Sequence, residues 1–437
     1  MWLLPVFSTL SRSALRLFYR LTLAGERVPP EGPVLLVANH PNSLLDPAMV
    51  VAAARRPVRF LAKAPLFDDA KVSWLIKAAG SIPVFRKQDD PGAMEQNDDT
   101  FRAVWSALAD EDAAVGIFPE GISHNEPGLV PLKTGAARIA LGAAREEGAF
   151  PVVPVGLSFR EKGRFRSEAL AVIGDPVKWD DLAMAGPDDR DAVRRLTSRI
   201  DAALRDVTLN LERWEDAPLV EMAEAVYAAE IPVSADPADR VERLGEASEA
   251  LARLRGDDRE EWKRVRRQVA AHARVLDVLG LRPRELKAAP RTLGAALWTL
   301  RNLAFFALGA PVAALGMAIY GIPYRLTGLL ETIARPPADV RGTFKLLVGA
   351  VIHLVWTIAV VALVAWRFGA LAAAATAVAM PLIGVTALHV VERWRSAVGE
   401  ARRFLLRTRR REVLAELRQR QRELAERLHK LWEEVRI

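Results

Sequence analysis

The chain has 437 residues, enough for one catalytic domain plus appended segments. Lys and Arg total 61 against 54 Asp and Glu, a net charge of +7, which fits an anionic partner: a membrane surface, nucleic acid or a phosphorylated substrate. With no cysteine, disulfides, thiolate nucleophiles and cysteine metal sites are excluded, and the six histidines are scattered without metal-ligand spacing.

At the N-terminus, residues 1–24 lack the basic start and small-residue cleavage site of a signal peptide. Arg12, Arg16 and Arg20 recur every four residues and share one helical face, with apolar side chains elsewhere. That pattern predicts an amphipathic helix, lying in the headgroup plane or packed on a domain surface.

Residues 25–210 alternate strand-like and helix-like runs. Strands are predicted at 34–38, 59–62, 82–85, 115–118, 152–157 and 170–173, with helices between them, including 100–110 and 134–147. Such alternation predicts an α/β domain, a mixed sheet covered by helices. From 211 to 291 strand-like runs disappear and charged stretches carry apolar residues at helical spacing, which predicts a helical insert broken near 231–237 and 281–283.

The segment 292–391 is apolar. Residues 346–366 and 370–391 are each long enough to span a bilayer, and the short link between them makes a transmembrane helical hairpin. A third run, 303–324, is interrupted by Gly309-Ala310-Pro311. A third crossing would put the arginine-rich tail and the α/β domain on opposite sides, so this run is expected to re-enter or lie at the interface. Residues 392–437 combine Arg, Glu and regularly spaced leucines. They predict a long basic amphipathic C-terminal helix or short coiled coil, its arginine-rich start beside anionic headgroups.

The chemistry sits at strand ends. The run Val34-Leu-Leu-Val-Ala38 stops at Asn39-His40, and Asp46 returns after one short turn. Histidine is the side chain best suited to take a proton from an alcohol near neutral pH, and a carboxylate on its other ring nitrogen fixes the tautomer. Asn39, Asn42 and Ser43 suit local backbone bonding or capping. Three further strand ends deliver Lys63, Arg86 with Lys87, and Glu120-Gly121. Each cation alone reads as a solvated surface charge, but polar strand ends of an α/β sheet converge on one crevice, and cations there suit a phosphate.

Taken together, NHPNSLLD (39–46), IPVFRK (82–87), FPEGISH (118–124) and VVPVGL (152–157) resemble, in order, the four blocks of the PlsC-like glycerolipid acyltransferases, over roughly residues 25–176. The first and third blocks are most similar to the yeast-type glycerol-3-phosphate and dihydroxyacetone-phosphate acyltransferase subgroup. Five residues separate His40 from Asp46, where the family's usual pattern has four; the subgroup shares the longer spacing.

The resemblance implies an enzyme that moves a fatty acyl group from acyl-CoA or acyl carrier protein to a hydroxyl of glycerol 3-phosphate or dihydroxyacetone phosphate. Lysophosphatidate is the alternative acceptor. It gives His40 the role of general base, Asp46 that of its orienter, and Arg86, Glu120 and Gly121 contacts with the acceptor; Pro154 shapes the site. From the residues themselves, Lys63 and Lys133 are added as phosphate ligands. Neither cofactor nor metal is expected. The implied partners are the acyl donor, the glycerol-phosphate acceptor and membrane lipids rather than nucleic acid, in a multi-pass protein with its catalytic domain on the cytoplasmic face.

Two other readings stay open on sequence. Gly121-Ile-Ser123-His124-Asn125 resembles the nucleophile elbow of a serine hydrolase, with Asn125 where the second glycine belongs. A non-catalytic, lipid-binding membrane scaffold is the reading outside enzymes, against which the intact His40, Asp46, Arg86 and Glu120 argue.

Overall fold

The computed structural model describes residues 4–70, 73–84, 97–109, 113–287 and 292–436. The chain divides into two compact units. The first comprises Met1–Trp214, Ser234–Ser248 and Pro337–Thr343; the second comprises Glu215–Val233, Glu249–Pro336 and Phe344–Ile437.

The first unit opens with α1 (Leu4–Phe18), which passes directly into β1 (Tyr19–Gly25). It continues through β2 (Val34–Ala38), α2 (Leu45–Ala54), β3 (Arg59–Lys63), α3 (Ser73–Ala78), β4 (Ile82–Val84), α4 (Asn97–Leu108), β5 (Ala114–Ile117), α5 (Gly135–Glu147), β6 (Val152–Phe159), β7 (Ser167–Ile173) and α6 (Arg190–Asp206). Among the described residues these strands form one sheet in the order β1-β7-β6-β2-β5-β3-β4. The mixed sheet covered by helices is the architecture that the sequence predicts.

β2 is central because all five of its residues are apolar and buried, as a strand covered on both faces requires. It pairs in parallel with β5 on one side, Val34 opposite Ala114, and with β6 on the other, Leu35 opposite Val152. β3 is parallel to β5, and β4 to β3. The C-terminal ends of β2 to β6 therefore share one edge of the sheet. β7 runs antiparallel to β6 and β1 parallel to β7, so the starts of β1 and β7 lie at that same edge. One core layer joins the sheet to α4, α5 and α6 through Leu108, Ile139, Leu196 and Ile200.

β1 differs from expectation. The N-terminal helix ends at Phe18 rather than continuing to residue 24, and Tyr19–Gly25 pairs with the whole of β7, from Tyr19–Ser167 to Gly25–Ile173. The four-residue spacing of the arginines carries the helical rhythm past the boundary and conceals the change, although Tyr19-Arg20-Leu21-Thr22-Leu23 alternates as a strand should. Gly25 ends the strand at φ +81°, a left-handed conformation that costs glycine little.

In the second unit, α9 (Arg259–Leu279) and α13 (Arg411–Arg436) are charged helices and α7 (Ala217–Glu230) is largely apolar; α8 (Pro237–Asp257) precedes α9 and is divided between the units. Leu276, Leu281, Leu286, Leu414 and Leu417 bury one another, so the regular leucines of the tail pack within this unit. The expected long C-terminal helix is present as α13; it starts at Arg411 rather than 392, because α12 (Ala370–Arg409) runs on to Arg410, whose φ of −125° and ψ of 45° leave the helical region.

Among the described residues three helices are long and apolar enough to cross a membrane, in α10 (Thr292–Ala334), α11 (Arg341–Phe368) and α12. Their apolar side chains face outward: Leu303 is 66% exposed, Val351 61% and Leu371 87%. Apolar surface on that scale needs lipid or a partner to cover it. α10 is continuous through Gly309-Ala310-Pro311, where the sequence predicts an interruption. The small residue serves packing there: a Cβ on Gly309 would stand 2.8 Å from Val390 Cγ2 on α12. Ala313 buries against Ala387 and Val390 one turn on.

Candidate active site

The site is built at the sheet edge where β2 to β6 end. Beyond Ala38 the strand pairing stops, and Asn39 extends it with a side chain. Its amide donates to the Leu157 carbonyl at 3.0 Å, and Leu157 N–H donates to Asn39 Oδ1 at 2.7 Å. The fourth block of the sequence therefore holds the first in register at the point where the chain leaves the sheet.

His40 follows. Its Nδ1 lies 2.8 Å from Asp46 Oδ2, with the histidine side chain 19% exposed and the aspartate wholly buried. Asn42 N–H also donates to Asp46 Oδ2, at 2.6 Å. Asp46 sits in the first turn of α2, where the helix dipole favours negative charge. Burial nevertheless pushes its carboxyl above the ordinary aspartate range, against the opposing pull of His40 and Asn42. An ionised Asp46 requires a proton on His40 Nδ1, which leaves Nε2 with the lone pair that a general base needs.

The five-residue spacing between the pair is accommodated at Ser43, which adopts φ +48°. That left-handed turn lets α2 start with Asp46 aimed back at His40. Ser43 N–H donates to Ser123 Oγ at 3.1 Å. Ser123 is thus engaged by the turn, and it lies in coil well before α5. The strand-to-helix elbow of a serine hydrolase is absent at this position, a correction to that reading.

The third block grips the backbone of His40. Glu120 is buried; its Oε1 accepts His40 N–H at 2.7 Å, and its Oε2 accepts Val130 N–H at 3.1 Å. The same Oε2 bonds to His124 Nε2. His124 N–H in turn donates to the His40 carbonyl at 3.1 Å, so His40 is held by both its backbone groups. The imidazole lies flat on Phe118, ring centroids 4.1 Å apart at 12°, and Phe118 stacks on Phe60. Stacking fixes the ring plane, and an aromatic face favours a cation over it.

Behind the turn, Asn42 Nδ2 donates to the Tyr19 hydroxyl at 3.0 Å, and that hydroxyl donates to the Lys162 carbonyl. Burial pushes the Tyr19 phenol up, keeping it protonated as a donor. Lys162 Nζ donates to Asn125 Oδ1 at 2.7 Å; burial lowers its pKa, while Asp46 and Asp339 oppose that shift.

The other predicted residues fall as follows. Gly121 turns the chain at φ +74°, and Lys133 runs its stem past it, where a Cβ on Gly121 would stand 3.4 Å from Lys133 Cγ. Lys133 is exposed, as is Lys63 at the end of β3, on the same edge as His40. Pro154 lies in β6 opposite Val37. Arg86 and Lys87 lie outside the described residues. Sequence reasoning did not single out Tyr19, Phe118 or Lys162. Lys162 stands in a run with Arg160, Arg164 and Arg166, and only the bend after β6 distinguishes it.

The structure thus places a histidine–carboxylate pair at the C-terminal edge of parallel strands, with Lys63 at the end of β3 on the same edge. Residues 20–158 match the family described as Acyltransferase. The chain is 34% identical over 137 residues to glycerol-3-phosphate O-acyltransferase 2 of Saccharomyces cerevisiae, covering 30% of this chain and 18% of that protein. It is 23% identical over 191 residues to 1-acyl-sn-glycerol-3-phosphate acyltransferase of Bacillus subtilis, covering 43% of this chain and 87% of that one. Among solved structures it is similar to the 1-acyl-sn-glycerophosphate acyltransferase PlsC of Thermotoga maritima, with a TM-score of 0.33 at 20% identity over 46% of this chain and 78% of that one. The likeness is thus to an Acyltransferase domain over residues 20–158, not to the chain as a whole. The matched segment spans less than a fifth of the yeast proteins' length.

Proposed function

We propose that the protein transfers a fatty acyl group from acyl-CoA or acyl carrier protein to a hydroxyl of glycerol 3-phosphate or dihydroxyacetone phosphate. The observation that carries this reading is the His40–Asp46 contact of 2.8 Å at the sheet edge, inside a domain 33–34% identical to two yeast glycerol-3-phosphate O-acyltransferases.

His40 Nε2 takes the hydroxyl proton as the acceptor oxygen attacks the thioester carbonyl. Asp46 stabilises the imidazolium that results. The tetrahedral intermediate collapses, the carbon–sulfur bond breaks, and His40 returns its proton to the leaving thiolate. An ester has formed, a thiol has been released, and the enzyme has regained its starting protonation.

Lys63, Lys133 and Arg86 supply positive charge for the acceptor's phosphate, and Gly121 gives its turn close backbone approach. Glu120, with both oxygens already accepting protein donors, acts as a brace for His40 rather than as a ligand. The helices α10 to α12 hold the chain in the bilayer as a multi-pass protein with the catalytic domain on the cytoplasmic face, where the acyl donor is found.

Lysophosphatidate is the second acceptor reading, favoured by the match along 87% of the Bacillus subtilis enzyme. Purified protein in phosphatidylglycerol vesicles, given one acyl-CoA and each of the three acceptors, separates them. Highest kcat/KM with glycerol 3-phosphate or dihydroxyacetone phosphate supports the proposal; highest kcat/KM with lysophosphatidate replaces it.

A further inference from the structure

The segment Pro337–Thr343 lies some 300 residues beyond the catalytic turn, between the end of α10 and the first turn of α11, and yet belongs to the catalytic unit. It lies against the turn between His40 and Asp46. Thr343, buried, donates its hydroxyl to the Asn42 carbonyl across a long 3.4 Å. A Cβ on Gly342 would stand 2.8 Å from Asn42 Oδ1, 2.8 Å from Leu45 Cδ1 and 2.7 Å from the Lys162 carbonyl oxygen. Next to it, the Arg341 side chain runs across Gly163, where a Cβ would stand 2.6 Å from Arg341 Cδ. The charge of Asp339 acts on Lys162.

The residues so covered are those that aim the catalytic pair. Asn42 supplies the N–H that Asp46 accepts, and its side chain ties the turn to Tyr19. Leu45 precedes Asp46 and is itself buried. Gly342 is a poor choice for a helix on local grounds, since glycine loses more backbone freedom on ordering than alanine. The close approach of the Lys162 carbonyl, with Asn42 Oδ1 and Leu45 Cδ1 beside it, gives a reason for it here: a Cβ would press on all three.

We propose that Gly342 and Thr343 are positioning residues, and that the 337–343 strap is the floor of the catalytic turn, setting the direction of Asp46 through Asn42. The acyltransferase family match ends at residue 158. The working site is therefore completed by a segment far outside it, joined without interruption to the apolar helices α10 and α11. A displaced orienter is costly because a shift of about 1 Å at a reacting group can lower the rate by roughly 100-fold.

The part of this inference that concerns rate rests on the acyl-transfer reading; the part that concerns geometry does not. The test uses full-length protein in one detergent, comparing the wild type with Gly342→Ala, Gly342→Val and the milder Thr343→Val. Two quantities are read: kcat and KM for acyl transfer, and the Nδ1 proton resonance of His40 in histidine-labelled protein, assigned with His40→Gln. The strap predicts a kcat lowered by about 10-fold or more in Gly342→Ala, with both KM values within about twofold, and a moved Nδ1 resonance at unchanged helical content. A wild-type resonance in Gly342→Ala and Thr343→Val overturns the inference, and so does a change confined to KM. If the wild type acylates none of the acceptors, the proposed reaction fails, while the resonance still decides the strap.

Discussion

Glu120 and His40 are joined through the backbone: the His40 N–H donates to Glu120 Oε1 at 2.7 Å, across 80 residues of sequence. The other carboxylate oxygen is engaged by Val130 N–H and His124. A carboxylate so filled holds His40 in place and has little left to offer a further ligand.

Glu120→Gln therefore should lower kcat by about 10-fold to 100-fold and leave the acceptor KM within about twofold, since the loss falls on geometry in the transition state. Steady-state kinetics over the acceptor concentration separate the two. A raised acceptor KM at unchanged kcat would show instead that Glu120 contacts the substrate.

Asp46→Asn tests the orienter and its burial together. Asp46 Oδ2 serves both His40 Nδ1 and Asn42 N–H, so an asparagine puts there either its oxygen, which lacks the negative charge, or its amide nitrogen, which breaks both bonds and selects the wrong tautomer; either way activity should fall by about 100-fold or more. Stability should move the other way. Burial raises the folded-state pKa of Asp46, so its contribution is full below the unfolded value of about 3.9 and is lost as pH rises through the folded value. The Tm of Asp46→Asn relative to wild type should accordingly improve as pH rises above about 4. Thermal denaturation across that range checks it, and a variant that loses ground as pH rises contradicts it.

How much of this was legible in the sequence depends on distance along the chain. β2, β5 and β6 were readable because unbroken apolar runs such as Val34–Ala38 belong to strands covered on both faces. His40 and Asp46 were readable because they close one short turn. The longer spacing did not reveal its solution, which is the single backbone conformation of Ser43 at φ +48°. β1 was hidden by arginines whose spacing continues the helical rhythm into a strand. The strap could not be read at all: Gly342 and Asn42 are 300 positions apart, and a glycine near a helix start carries no mark of what lies against it. Gly309 misled for the same reason, suggesting a break where the neighbouring helix needs space.

The helical unit offers a pH test of its own. His272 is buried, with Nε2 3.1 Å from Gln421 Oε1, and Gln421 Nε2 donates to Glu230 Oε1 at 2.7 Å. Lys287 pairs with Glu230 at 2.9 Å, and Arg420 lies close enough to disfavour further positive charge. Burial lowers the His272 pKa, so the neutral form stabilises the fold above the unfolded value of about 6.5, and that stability is lost as pH falls towards the folded value. The wild-type Tm should drop from pH 8 to pH 5 by more than that of His272→Gln, which keeps a donor for Gln421. Equal drops in the two proteins would remove His272 from the account.

The central claim is that His40 takes the proton from the acceptor hydroxyl, and it is met most directly by single-turnover acyl transfer. Wild type and His40→Ala, preloaded with one radiolabelled acyl-CoA in the same vesicles, are mixed with glycerol 3-phosphate and the labelled lipid is followed. The account predicts a rate reduced by at least about 100-fold in His40→Ala. A His40→Ala rate within a few-fold of wild type would contradict it.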